Sequence, residues 1–279
     1  MSQMPLIDFD EHFADFTSEW LKNHKDEYRT FDEMEDDMVR IYTEFLNTRA
    51  VWLDGITPGA FFTQYEDPKV LVDWLNDYCD EGISVPDLLL EQIAFVGRPC
   101  EKRLLELLKD NDSGEEAKMT AIGLLREMGS TLPKMLYINW QIEREQQDEL
   151  KDNAVESLKE MGECVVQPIL QIIGKANTAG QEALLDILVR YPMTEQVFDL
   201  AIKLFRDNPD RRALLAGYLA KIGDERALPD LIKAAEEKEL RYLNYIEIRN
   251  AIEELGGDCP ERDFEEDPEY DALRALDAE

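Results

Sequence analysis

Across residues 83–257 small and aliphatic residues recur at helical spacing in runs of about a dozen, and most runs close on a glycine. Ala121 and Leu125 lead to Gly129, Ala154 and Leu158 to Gly162, and Leu215 and Leu219 to Gly223. The closing positions are Gly97, Gly129, Gly162, Pro192, Gly223 and Gly256, at intervals of 32, 33, 30, 31 and 33 residues. Glycine suits the left-handed conformation that ends a helix. A second amphipathic run follows each short turn, often with Pro near its start: Pro99, Pro133, Pro168 and Pro229. Proline is tolerated there because the first-turn N–H has no partner in any case. The pattern predicts first helices near 86–96, 115–128, 149–161, 180–190, 210–222 and 240–255. It predicts second helices near 99–109, 131–145, 164–174, 194–206 and 225–237, giving about five and a half units. One such helix pair cannot bury its apolar stripe, whereas stacking on its neighbours can. Polar connectors such as LLKDNDSGEE and LFRDNPD separate the units.

Residues 1–82 lack this period. Phe9, Phe13, Phe16 and Trp20 share one helical face, and Met38, Ile41, Tyr42 and Phe45 share another. Thr57-Pro58 and Asp67-Pro68 each place a capping residue before Pro at the first helical position. Val70, Leu71, Trp74, Leu75 and Tyr78 then carry a helix toward Gly82. The segment is read as four short helices covering the N-terminal end of the stack. Residues 258–279, DCPERDFEEDPEYDALRALDAE, form an acidic, Pro-containing tail. Its composition favours a solvated, disordered end. The alternative is a short helix from Pro268 that docks Tyr270, Leu273 and Leu276 on the last unit.

The run DNPDRRALLAGYLAKIGDERALPDLIKAAEE, residues 207–237, resembles the HEAT repeat, especially the bacterial form found in phycobilisome lyases. Asp207, Pro209, Arg211, Arg212, Ala213, Leu219, Gly223, Ala227, Leu228, Pro229 and Leu231 follow the order usual in that repeat. NAVESLKEMGECVVQPILQII, residues 153–173, is the second-best match, and the resemblance covers roughly 83–257. Residues 1–82 carry no motif by which a family is recognised. The resemblance implies an all-α, right-handed solenoid of helix pairs with an N-terminal helical cap. Members of the family serve as scaffolds, adaptors, lyases and nucleic-acid-repair enzymes, so the fold leaves the task open.

Charge narrows the choice. The 279 residues carry a net charge of −32. Residues 1–82 hold 20 acids against 6 bases and residues 258–279 hold 10 against 2, while the middle holds 32 against 22. Phosphate binding relies on Lys and Arg to release counterions, so nucleic acid and anionic membrane surfaces are not expected partners. Cys79, Cys100, Cys164 and Cys259 form no CxxC pair and are read as reduced thiols of a cytoplasmic protein. The N-terminus shows no signal-peptide pattern, and no apolar run reaches the ~18 residues of a membrane span.

No P-loop, GxGxxG, GxSxG or HExxH motif occurs, so no catalytic residue, cofactor or metal site is assigned. His12 and His24 read as surface or boundary residues. Asp32, Glu33, Glu35, Asp36 and Asp37 lack the glycine turn of a calcium loop and read as a solvated helix face, with Asp32 a candidate cap. One stripe stands out. On a helical wheel through 131–145, Met135, Ile138 and Ile142 fall on one side, taken as the core side. Tyr137, Trp140 and Arg144 fall opposite, with Gln141 beside them. Aromatic residues and arginine pointing away from a core are the composition of an interaction hot spot. The leading expectation is therefore a protein-interaction scaffold or adaptor. The alternatives are an acidic inhibitor that mimics nucleic acid or covers a basic surface, and a lyase-type enzyme or accessory factor.

Overall fold

The computed structural model describes residues 6–24, 35, 37–264 and 267–276. Among them every regular element is helical and none is a strand. The chain forms two compact units, Met1–Pro133 and Lys134–Glu279. The segment edges expected at 82/83 and 257/258 each lie inside a unit.

The first unit contains α1 (Phe9–His24), α2 (Met38–Asn47), α3 (Pro58–Phe61), α4 (Pro68–Glu81), α5 (Asp87–Val96), α6 (Arg98–Lys109) and α7 (Glu115–Glu127). Helices α1–α4 are the short N-terminal elements that the sequence predicts. Asp67 caps α4 by accepting the Lys69 N–H at 2.9 Å, with Pro68 in the first turn. Thr57 precedes Pro58 in the same way but makes no side-chain cap. Helix α4 packs on α5, α6 and α7, and its Leu71, Val72, Trp74, Leu75 and Tyr78 are buried. Each such aliphatic side chain removed from water contributes about 1.5–3 kcal/mol. An aromatic cluster of Phe9, Phe61, Phe62 and Trp74 fastens α1 and α3 to α4, with ring centroids 5.0–6.1 Å apart. His12 stacks flat on Trp52 at 3.8 Å and His24 on Trp20 at 3.9 Å, so both imidazoles sit at the boundary. Asp32, Glu33 and Asp36 lie outside the described residues. Asp37 precedes α2 without a side-chain cap and pairs with Arg40 at 2.7 Å.

The second unit contains α8 (Lys134–Trp140), α9 (Glu149–Glu160), α10 (Val166–Ile172), α11 (Thr178–Leu188), α12 (Glu195–Asp207), α13 (Arg212–Ile222), α14 (Leu228–Ala235), α15 (Tyr242–Glu254) and α16 (Pro268–Leu276). Helices alternate in their packing: α9 against α8 and α11, α12 against α11 and α13, α15 against α13 and α14. Ala154, Leu158, Leu215 and Leu219 of the predicted inner faces are completely buried. The repeat glycines 97, 129, 162, 223 and 256 have φ between 64° and 77°. Gly223 shows why. At φ 72° and ψ 24° it turns the chain off α13 while its N–H reaches the Leu219 and Ala220 carbonyls. Pro192 does not share this geometry, since no residue there has positive φ. Several predicted helices are shorter than expected because 3₁₀ turns at Gly162–Val165, Pro209–Arg211 and Glu225–Ala227 take up their first residues.

The described residues of the C-terminal segment, 258–264 and 267–276, pack against α15, contrary to the disordered reading. Phe264 is 8% exposed, its ring 5.2 Å from Tyr242 and 4.9 Å from Tyr245. Helix α16 begins at Pro268 as the alternative reading had it, and Tyr270 meets Tyr242 at 4.9 Å. The side chains of Leu273 and Leu276 are outside those described. Aromatic residues spaced between the acids supply the apolar surface that net charge conceals.

Candidate interaction surfaces

The stripe expected to face outward is mostly inward. Tyr137 and Gln141 are fully buried, Arg144 is 6% exposed, and Trp140 is half-buried against Tyr137 at 5.5 Å. Met135, assigned to the core, is 44% exposed. For Gln141 and Arg144 the physical reason is that α8 stops at Trp140, so a wheel drawn through 145 runs past the end of the helix; within α8 the buried face runs through Tyr137 and Ile138 and leaves Met135 outside. Beyond it, polar groups are buried because each has partners. The Arg144 guanidinium donates to Gln141 Oε1 at 2.8 Å, to the Glu145 carbonyl at 3.2 Å and to Asp152. Gln141 Nε2 donates to the Tyr137 and Lys151 carbonyls at 3.2 and 3.3 Å. Asn177 Nδ2 donates to the Arg144 carbonyl at 2.8 Å, and Asn177 Oδ1 receives the Gly180 N–H at 2.9 Å, capping α11. These contacts join the α8–α9 turn to α9 and α11. They hold the fold together and engage Gln141 and Arg144 within it.

A polar cavity of about 280 Å³ opens beside this node, along α9, α11 and α13. Its charges are matched within the fold: Lys159 with Glu156 on its own helix and with Asp186 on α11, and Arg211 with Glu182 at 2.9 Å. Burial and neighbouring Asp186 push the Tyr218 phenol far above its ordinary range. On the second helices Arg206 grips Asp230 through two 2.8 Å hydrogen bonds, and Arg226 reaches Glu195. Such pairs bridge residues 24–31 apart in sequence and so link successive helix pairs. Because these charges are already partnered within the fold, the cavity offers little to an incoming ligand.

A different arrangement lies in the first unit, where α1, α2 and the turn leading into α5 enclose about 480 Å³. Asp8 starts α1 by accepting the Glu11 N–H at 2.9 Å, which sets Phe9 and Phe13 on the face toward α2. The rings of Phe13, Tyr42 and Phe45 stand 5.2–6.3 Å from one another. Phe45 is buried, whereas Tyr42 remains 36% exposed at the opening. Asp10 from α1 and Asp87 from α5 are exposed at the edge. Burial raises the Tyr42 phenol pKa, and the negative charges of Asp87, Glu91 and Asp10 raise it further. Two large apolar side chains stand on the adjoining helix faces: Val39, one turn before Tyr42, is 78% exposed, and Phe95, one turn after Glu91, is 80% exposed.

Sequence reasoning placed Phe13, Tyr42 and Phe45 on helical faces, read them as covering the end of the stack, and identified no pocket among them. The missed signal is α5 itself. DLLLEQIAFV is apolar at seven of its ten positions, more than one buried face of a helix needs, and Phe95 is the surplus.

Among the described residues no group of three or more His, Cys, Asp or Glu side chains is placed to hold a metal ion, and no helix is long and apolar enough to cross a membrane. All four cysteines are free; burial pushes Cys79 and Cys100 up to about 11, and Cys164 is exposed. The chain matches no family model, no curated protein and no solved structure.

Proposed function

We propose that the chain is a protein-interaction scaffold or adaptor, built as a right-handed HEAT-like helical stack whose N-terminal helices carry the contact surface. Support for the stack comes from the regular positive-φ glycines, the alternating helix packing and the ion pairs that link successive helix pairs. The observation that carries the function is Phe95, 80% exposed on α5, the helix whose first turn lines the Tyr42 pocket. Leaving a phenylalanine in water forgoes about 1.5–3 kcal/mol that burial against a partner would recover. Exposed apolar residues on the helices that line a polar-edged opening mark an interaction site. The partner is a protein rather than nucleic acid, because a net charge of −32 repels phosphate.

Native extract captured at low and high salt on the wild-type chain and on Phe95→Ser tests this. A protein retained by the wild type at both salt concentrations and lost from Phe95→Ser is the expected result. Identical recoveries on the two baits would overturn the reading.

A further inference from the structure

We propose that the pocket between α1, α2 and α5 receives a single cationic side chain, lysine or arginine, from a basic segment of a partner protein. This deepens the adaptor reading and rests on it. Three independent features meet at this place.

Aromatic rings come first. A cation is attracted by the negative face of an aromatic ring when it lies within about 6 Å of the centroid. Phe13, Tyr42 and Phe45 offer three rings on one opening, and the enclosed volume of about 480 Å³ is large enough for one long side chain.

Carboxylates come second. Asp10, Asp87 and Glu91 all act on the Tyr42 hydroxyl from two different helices, so the mouth of the pocket carries concentrated negative potential. Several acids elsewhere in the chain are met by a cation of the fold itself. Asp73 has Arg103 at 2.9 Å, Glu182 has Arg211 and Asp230 has Arg206. Among the described residues Asp10 and Asp87, which line the pocket, and Glu91, one turn further along α5, are not paired with a Lys or Arg. Arg40, the one cation on α2, is engaged elsewhere, with its guanidinium 5.0 Å over Trp20 and paired with Asp37.

Exposed apolar groups on the same helices come third. Val39 lies one turn before Tyr42 on α2 and Phe95 two turns beyond Leu88 on α5, where they could meet hydrophobic residues of a peptide that presents the basic side chain. A cation offered by a small solute would leave both uncovered, which is why a peptide side chain is the occupant of choice. Aromatic floor, anionic edge and exposed apolar groups on the same helices together describe a basic residue set between hydrophobic ones.

The test uses the full-length protein, isotope-labelled for NMR, titrated with a capped Ala-Leu-Arg-Leu-Ala peptide. The lysine version and a version with neutral norleucine in place of the basic residue are titrated in parallel. Saturable shifts at the backbone amides of Phe13, Tyr42 and Asp87 are expected for the basic peptides, with the norleucine peptide at least about tenfold weaker. Tyr42→Ala should abolish the shifts. Asp87→Asn, at an exposed helix start, should weaken binding several-fold with an unchanged circular dichroism spectrum, while Asp112→Asn in an exposed loop should leave it unaltered. Equal binding of the norleucine peptide would make the pocket an apolar slot and overturn the proposal. Shifts spread evenly over the acidic surface, or insensitive to Tyr42→Ala and Asp87→Asn, would overturn it as well. Loss of a Phe95-dependent partner in capture experiments is a separate readout. If that partner persists while the basic peptides fail, the adaptor reading stands and the cation pocket falls. If the peptides bind and no partner is captured, the reverse holds.

Discussion

Tyr78 and Ile7, 71 residues apart, exchange two hydrogen bonds: the phenol donates to the Ile7 carbonyl at 2.9 Å and accepts the Ile7 N–H at 3.2 Å. The side chain of α4 thereby supplies the partners that the chain entering α1 would otherwise take from water. Position of α1 fixes Phe9 and Phe13, so the same clasp sets one wall of the Tyr42 pocket.

Tyr78→Phe keeps the buried ring and removes only the hydroxyl. It leaves both backbone groups of Ile7 without that partner, a loss of about 1–3 kcal/mol. A lower denaturant midpoint with an unchanged helical signal is expected. Amide hydrogen exchange should quicken at residues 9–13 more than in α4. Uniform quickening across the unit would mean that the clasp does not act locally.

Two glycines in the second unit should respond in opposite directions to alanine. A Cβ at Gly180 would drive into the Gln141 carbonyl, in the turn that Arg144 and Asn177 hold rigid. Gly180→Ala is expected to cost about 3 kcal/mol or prevent folding. Gly217 lies inside α13 with nothing within 4 Å of an added Cβ. Gly217→Ala should stabilise by about 0.5–1 kcal/mol through helix propensity. Melting temperatures of the two variants decide both claims.

Much of the helical register was legible because glycine and small residues report backbone geometry directly. Gly223 closes α13 where the period placed it, and Ala154/Leu158 and Leu215/Leu219 are buried as their spacing implied. What misled was the assumption that a helix continues as long as its pattern does. The run 131–145 keeps helical spacing on paper, yet α8 ends at Trp140, and Gln141 and Arg144 turn inward. Burial of an arginine cannot be foreseen from its own identity. It depends on Asp152 and Gln141 converging on it in the fold. The Tyr42 pocket was hidden for a related reason. Phe13 and Phe45 look like core residues on their own helices, and only the approach of α5 brings Asp87 and Glu91 to their edge.

Alkaline pH should destabilise the chain through its buried thiols. Burial, chiefly, raises Cys79 and Cys100 from an ordinary value of 9.0 to about 11. Between these values the unfolded chain loses thiol protons that the folded chain keeps, so stability falls as pH rises. The contribution is complete below about pH 8.5 and is lost as pH climbs through 11. Urea unfolding at pH 8 and at pH 10 should show the lower midpoint at pH 10. A Cys79→Ala, Cys100→Ala variant should narrow the difference, the remainder coming from phenols such as Tyr78 and Tyr218 that burial also raises. At pH 8, exposed Cys164 should react with iodoacetamide well before Cys79 and Cys100.

The last expectation concerns Arg262, which secures the C-terminal segment. Helix α14 ends at Ala235, and like any helix it leaves its final carbonyls without partners of its own. Arg262 reaches back to this region. Its guanidinium donates to the carbonyls of Ala235 at 3.2 Å, Glu237 at 2.5 Å, Lys238 at 3.1 Å and Leu240 at 3.4 Å. The same group lies 4.8 Å over the Phe264 ring, which seals Tyr242 and Tyr245. Asp267 completes the attachment by accepting the Tyr242 N–H at 3.0 Å at the start of α15. Arg262→Ala removes several charge-assisted bonds at once and leaves carbonyls without their donor. A loss of about 2–3 kcal/mol is expected. Arg262→Lys restores the charge but not the branched set of donors, and should recover less than half of it. Near-UV circular dichroism reads the tyrosine and phenylalanine packing directly. Arg262→Ala should weaken that signal while far-UV helicity stays within the loss of α16 alone. If both spectra and the melting temperature match the wild type, Arg262 does not hold the segment, and Phe264 packing alone keeps it in place.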